Sequence, residues 1–287
     1  MMWETTAARL QSLGGEIRMG CRVTQCEYDD GAETWRVRFR DAAGVNQEIT
    51  AEHVISSAPL RELVRGLSPP VRPRVLQAAE QLKYRDFLTV MLIVRGRDAF
   101  ADNWIYIHDP EVKLGRVQNF RSWSPEMVPD PDKACYGLEY FCFEHDGLWE
   151  SSNLDLIELG KRELEQIGLA QASEVIDGCV VRQKKAYPVY DDDYARNVAT
   201  IRAELEERYP NLHLVGRNGM HKYNNQDHAM MTAMLCVENI LAGEKLYDLW
   251  QVNGDAEYHE THTETVADGA ALRLVPMRVS PAAQLTG

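Results

Sequence analysis

The chain lacks any long apolar run. Phe87 to Val94 has eight residues and Ala229 to Val237 nine, each including one threonine, far short of the roughly 20 a helix needs to cross a bilayer. No basic, apolar, then small-residue leader opens the sequence. Positive charge is scarce: 31 Lys and Arg stand against 44 Asp and Glu, a net charge of −13. Most of such a surface repels phosphate, which excludes nucleic acid or an anionic membrane as the main partner and leaves room only for a local basic pocket. The six cysteines, at 21, 26, 135, 142, 179 and 236, include no CxxC pair, so neither a zinc site nor a dense disulfide framework is expected. Scattered cysteines in a chain this large are expected to be reduced and buried, in a cytoplasmic protein. No P-loop, GxSxG elbow or HExxH motif occurs, so the usual phosphate-cradle, serine-nucleophile and zincin chemistries have no anchor.

What is present is an ordinary globular composition, 45% hydrophobic and 26% charged over 287 residues, enough for about two domains. Apolar spacing predicts a helix over Trp3 to Leu13, stopped by Gly14-Gly15. Strands are predicted over Glu16 to Val23, Thr24 to Tyr28, Trp35 to Phe39 and His53 to Ser57, the last ending at Ala58-Pro59. Short helices over Leu60 to Leu67 and Val75 to Leu82 flank a proline cluster. Aromatic and β-branched runs then predict a sheet from Phe87–Val94, Asn103–His108, Arg116–Phe120 and Tyr136–Glu144. An amphipathic helix over Leu154–Ile167, a strand over Val175–Tyr187 and a helix over Ala199–Tyr209 follow. The end is a short strand, Leu212–Val215, a long helix from Gln226 to Leu241 closed by Gly243, and a polar tail from Asp255 expected to be mobile.

The most informative stretch is Leu212 to Met230, whose grammar is strand, glycine turn, polar loop, long helix. A glycine directly after a buried strand lets backbone approach a ligand closely. Asn225-Gln226-Asp227-His228 opens the helix, where free N–H groups favour an electron-rich ligand. Taken singly these residues read as caps, and Met230, Ala233, Met234, Val237 and Ile240 read as a buried helix face. Six polar side chains from Lys222 to Asp227 nevertheless precede the helix where one cap would suffice.

Gly216-Arg217-x-Gly219-x-x-x-Tyr223 followed by Asn225-Gln226-Asp227-His228 resembles the C-terminal flavin-binding segment of a large FAD superfamily that includes amine oxidases, protoporphyrinogen oxidases and UDP-galactopyranose mutases. The resemblance implies that Gly216, Arg217, Asn225, Gln226 and Asp227 bind FAD, with the helix N-terminus toward the pyrimidine edge of the flavin. It further implies that Val23 holds the adenine by its main chain and that Ser57 and Ala58 lie beside the cofactor. Tyr187 and Tyr190 would wall the substrate pocket, with packing an even alternative; Arg217 and Tyr223 match the residues that approach a sugar-nucleotide diphosphate in the mutases. No catalytic residue is identified.

The implied fold is α/β: a two-part, Rossmann-type FAD-binding domain (1–58 and 196–250) whose N-terminal βαβ is missing, a mixed-sheet α+β substrate domain (59–195), and a tail (251–287). The glycine-rich GxGxxG loop that seats the pyrophosphate has no counterpart. The expectation is therefore a C-terminal part of such an enzyme, with a separate N-terminal dinucleotide-binding segment as a partner and a small molecule as substrate. Three functions are open: a flavin-dependent oxidoreductase, a mutase acting on a nucleotide sugar, and a non-catalytic, partner-binding remnant. Outside this pattern, Asp191-Asp192-Asp193 reads as a solvated turn and His259-Glu-Thr-His262 as a solvated tail, so no metal site is expected. Trp104, Tyr106 and His108 share one strand face, pocket or core, and Glu139, Glu144 and Asp146 are not told apart.

Overall fold

The computed structural model describes residues 2–96, 98–253 and 279. The expected tail falls mostly outside this range, as does the His259–His262 pair. Two compact units emerge, one from residues 1–82 with 190–287 and one from 83–189.

In the first unit, α1 (Met2–Ser12) leads to an antiparallel meander of β1 (Arg22–Asp29), β2 (Thr34–Arg40) and β3 (Asn46–Ala51). Trp35, fully buried on β2, is the centre of an aromatic cluster with Tyr28 at 4.9 Å and Tyr209 at 5.7 Å between ring centroids. The strand predicted over Glu16 to Val23 does not form. Gly20 takes a left-handed φ of +70°, which turns the chain so that pairing starts only at Arg22. β3 was not expected from sequence: all but its last residue are exposed, so no buried face imposes an alternation on it.

After β4 (Val54–Ser56) come α2 (Leu60–Arg65), a short β5 (Leu67–Ser68) and α3 (Pro73–Glu80). The proline at the first turn of α3 suits a position whose N–H has no helical acceptor.

The second unit is an antiparallel five-stranded sheet. It comprises β6 (Tyr84–Arg95), β7 (Trp104–Tyr106), β8 (Arg116–Asn119), β9 (Lys133–Cys142) and β10 (Val175–Pro188), in the order β10-β6-β9-β8-β7. A short helix, α4 (Phe120–Trp123), follows β8, and α5 (Asn153–Gln166) covers one sheet face. That face supplies the core: Leu88, Val90 and Leu92 of β6 and Leu138 and Tyr140 of β9 pack with Leu156 and Leu164 of α5. Gly160 brings α5 close, because a Cβ there would lie 3.2–3.4 Å from Leu138, Val90 and Leu92. On the opposite face Phe120 of α4 packs over Gly137, where a Cβ would stand 2.9 Å from its ring.

The chain returns to the first unit as α6 (Tyr194–Arg208), β11 (Leu212–Leu214), a single-turn α7 (Gly216–Gly219) and α8 (Gln226–Ala242). β11 runs parallel to β4 as a two-stranded sheet. Gly243 ends α8 with φ +67°, the left-handed stop read from the sequence.

The expected buried stripe of α8 is corrected by the structure. Met230, Met234 and Val237 are exposed, and the helix instead buries Thr232, Leu235 and Cys236. Its apolar partners, Tyr247 and Val252, lie on the Leu235 side. Of the cysteines, 26, 142 and 236 are buried, whereas Cys179 is exposed. It pairs with Met91 on the sheet face away from α5. Among the described residues no helix is long and apolar enough to cross a membrane.

Candidate functional site: the glycine turn and the entrance to α8

Two short parallel strands set the site. Leu214 pairs with Ser56, and the Val215 N–H donates to the Ser56 carbonyl at 3.0 Å. The chain then needs a sharp reversal, which Gly216 supplies at φ +73°. The Gly216 N–H donates to the buried Thr232 hydroxyl at 3.0 Å, and that hydroxyl donates to the Ala229 carbonyl at 2.8 Å. Strand exit and helix α8 are thereby tied through one side chain.

Gly219 is held by space rather than torsion. A Cβ at this position would stand 2.4 Å from the Ser56 carbonyl oxygen and 3.0 Å from Ser57 Cα. The β4 exit, Ser56 to Ala58, thus lies directly against the glycine turn; the Ala58 N–H donates to Ser56 Oγ at 3.3 Å.

Polar side chains organise the loop into α8. The Arg217 Nε donates to the Asn224 carbonyl at 2.8 Å, and the guanidinium lies 4.8 Å from the centre of the Tyr223 ring. The Tyr223 N–H donates to the Tyr190 hydroxyl at 2.6 Å. Tyr190 stacks on Tyr194 at 4.0 Å, and burial together with the hydrogen bond that the Tyr194 hydroxyl donates to Tyr190 raises the Tyr194 phenol well above its usual range. His221 is wholly buried at a left-handed φ of +47°. Burial, reinforced by the Arg61 charge and opposed by Asp191, pulls its pKa down to about 4. Lys222 donates to the Trp250 and Val252 carbonyls, both at 2.6 Å, and burial lowers its ammonium pKa.

At the helix start Asn225 and His228 form a capping box, the Asn225 N–H donating to His228 Nδ1 at 3.3 Å. Gln226 and Asp227 in the first turn are exposed. Just before the cap, Asn224 is buried and its Oδ1 has no hydrogen-bond partner among the described residues. An uncompensated buried carbonyl is costly, and such a group suits a ligand that brings a donor.

Of the residues singled out in the sequence, Ser57, Ala58, Gly216, Arg217, Asn225, Gln226 and Asp227 gather around this turn, with Tyr223 on the loop and Tyr190, just before α6, bonded to it. Val23 stands apart, exposed on β1 of the meander. Tyr187 belongs to the other unit, where its ring is 6.1 Å from Phe87 and 6.0 Å from Phe141. Thr232 and Asn224 were missed. A lone Thr inside an otherwise apolar helix was a usable signal for the first; nothing distinguished Asn224 from its polar neighbours.

The sequence profile of flavin-containing amine oxidoreductases matches residues 2–225. The chain belongs to that family. The family resemblance read from the sequence is thereby borne out, and the mixed α/β architecture is similar to the folds of FAD-dependent oxidoreductases. A reduced UDP-galactopyranose mutase superposes with a TM-score of 0.68 at 18% identity, over 82% of this chain and 49% of the mutase. A protein designated a protoporphyrinogen oxidase, from Exiguobacterium sp. 255-15, gives 0.61 at 19% identity, over 84% and 51%. A triple mutant of putrescine oxidase gives 0.53 at 13% identity, over 75% and 46%. The chain spans about half the length of each of these structures. No curated protein matches it. Among the described residues, no group of three or more His, Cys, Asp or Glu could hold a metal ion.

Proposed function

We propose that this chain is the flavin-contacting and substrate-binding part of an FAD-dependent oxidoreductase. The observation that carries the reading is the turn itself: Gly216 and Gly219 bare the backbone beside the Ser56–Ala58 exit, next to a helix entrance with an unmet acceptor at Asn224. The pyrimidine edge of a flavin alternates carbonyl acceptors with an N–H donor, so helix N–H groups and the Asn224 carbonyl together suit it. Bound FAD would supply the redox chemistry, accepting a hydride from a C–N or C–C unit of a small-molecule substrate. The chain's own part is positional and electrostatic. The α8 N-terminus favours negative charge, and Arg217 keeps the loop in register by gripping the Asn224 carbonyl.

We further propose that a dinucleotide-binding segment completes this unit and seats the pyrophosphate. Parallel sheets are normally covered on both faces, yet β4 and β11 form a pair with three residues each. Helix α1 buries no residue, and Met234 and Leu241 of α8 are 59% and 82% exposed. These surfaces suit a strand and an apolar helix supplied from elsewhere.

A nucleotide-sugar mutase is the second reading, favoured by Arg217 stacked on Tyr223. Conversion of UDP-galactofuranose under dithionite, without aerobic turnover, would select it over the oxidase.

Adding FAD to the purified chain and desalting tests the cofactor. Retained absorbance at about 370 and 450 nm would support the cofactor role directly; a chain that stays colourless alone but turns yellow once a dinucleotide-binding segment is added supports the completed unit, and one colourless in both cases supports a non-catalytic, partner-binding role. Asn224→Leu sharpens the test. It should weaken FAD binding while leaving the apo fold as stable as before or more so, because it removes a buried unmet carbonyl. Unchanged FAD affinity would refute the role of Asn224.

A further inference from the structure

Two histidines 160 positions apart meet at the start of the β4–β11 pair. His53 stands directly before β4, and His213 lies in the middle of β11. Leu212 and His213 pair in parallel with Val54 and Ile55, and the Val54 N–H donates to the Asn211 carbonyl at 3.0 Å, which fixes the strands at this end. Side chains alternate along a strand, so the two imidazoles emerge on the face that also carries Ile55. His53 Nδ1 and His213 Nε2 are 3.2 Å apart, with ring centroids at 5.4 Å.

One of these nitrogens carries a hydrogen and the other accepts it, so the accepting ring is neutral. Burial, reinforced by the His53 charge, lowers the His213 pKa. A neutral imidazole is the form that ligates a metal ion. The spacing fits as well. Two nitrogens 3.2 Å apart, each about 2.0–2.1 Å from one ion, subtend an angle of about 100° at it, close to tetrahedral. A turn of either ring about its last torsion converges the lone pairs on that point. Both rings border a cavity of about 640 Å³ that reaches α6 and the end of α8. Glu206, Glu244 and Asp248 outnumber Arg202 and Lys245 in its wall, so the lining favours a cation over an anion.

We propose that His53 and His213 form a two-ligand site for a divalent transition-metal ion such as zinc, which clips β4 to β11. Imidazole suits zinc, copper and nickel, whereas calcium and magnesium take oxygen ligands. Among the described residues no third His, Cys, Asp or Glu joins the pair, so water fills the remaining coordination positions. The clip grips the start of β11 while the glycine turn follows its end. The ion therefore stabilises the strand pair and takes no part in the chemistry at the turn. The flavin reading is not needed for this site, and a chain that fails to hold FAD leaves its test intact.

Zinc ion alone, titrated into the whole chain by calorimetry, is the probe. Cys179 is exposed, and His259 and His262 lie outside the described residues, so the titration uses a Cys179→Ser, His259→Ala, His262→Ala background. That chain should still bind one zinc ion. His53→Gln, at an exposed position, keeps a hydrogen-bonding partner for His213 but removes one imidazole; it and His213→Gln should each weaken binding more than tenfold. His145→Ala, an exposed histidine of the other unit, should leave it unchanged. Zinc should also slow hydrogen exchange several-fold in peptides covering β4 and β11 and leave β6 peptides unaffected, and His53→Gln should abolish that protection. The proposal is overturned if the background chain binds no zinc, if either Gln variant binds it as the background does, or if zinc protects neither β4 nor β11.

Discussion

Replacing Gly219 by alanine isolates the contact on which the glycine turn depends. The added methyl would begin 2.4 Å from the Ser56 carbonyl oxygen and 3.0 Å from Ser57 Cα. Both neighbours are backbone, so no side chain can swing away. Reaching ordinary van der Waals separation takes a displacement of about 1 Å. The Val215 N–H bond to that same carbonyl, 3.0 Å long, cannot survive a shift of that size. Overpacking costs about 1–3 kcal/mol and a lost backbone hydrogen bond about 1 kcal/mol, giving roughly 2–4 kcal/mol. Gly216→Ala is the matched comparison: its Cβ would meet Ala229 and Ser57 at 3.8 and 3.9 Å, comfortable distances, leaving only the left-handed torsion at about 1–2 kcal/mol. Native-state hydrogen exchange by mass spectrometry can rank the two. Peptides covering β4 and β11 should exchange about 100-fold faster in Gly219→Ala and roughly tenfold faster in Gly216→Ala, with β6 peptides unaffected in both. Equal or slower exchange in Gly219→Ala than in Gly216→Ala would refute the steric account.

Two more outcomes follow from the same loop. Thr232→Val leaves the Gly216 N–H without its acceptor and should lower stability by about 1–3 kcal/mol in urea unfolding, whereas Thr232→Ser should stay near wild type. His221 has a folded-state pKa of about 4 against an ordinary 6.5, so the unfolded chain takes up its proton first as pH falls. Stability from this group is therefore complete above pH 6.5 and declines toward pH 4, by on the order of 3 kcal/mol. His221→Asn, which tolerates the left-handed backbone, should flatten that part of the stability–pH curve; an unchanged slope would assign the acid sensitivity elsewhere.

How far the residues alone reach differs by element. The α8 helix was legible nearly to the residue, because Asn225 and Gly243 mark its ends by capping chemistry that acts locally. Which side of it faces protein was not: Met230, Met234 and Val237 show that a face is apolar, but not what covers it, and the described residues lie on the Thr232–Cys236 side. β6 was plain because of its run of aromatic and β-branched residues, whose burial then alternates along the strand. β3 was invisible since it buries almost nothing. In the loop, residue types marked the glycine turn and the helix entrance, while the steric role of Gly219 came only from Ser56 lying across a parallel strand more than 150 positions away. A contact between distant segments leaves no spacing to read.

The bonds from Lys222 to the Trp250 and Val252 carbonyls carry a practical corollary. They make the stretch just after α8 a structural buttress of the loop that enters that helix, rather than an appendage to be trimmed. Shortening the polypeptide ahead of Trp250 would strand a half-buried cation with nothing to receive its protons, and also remove the Asn253 amide that holds the Tyr223 carbonyl at 2.8 Å. A cut that spares these bonds lies beyond Asn253, and one ahead of Val279 would still remove the N–H that donates to the Leu246 carbonyl at 2.8 Å.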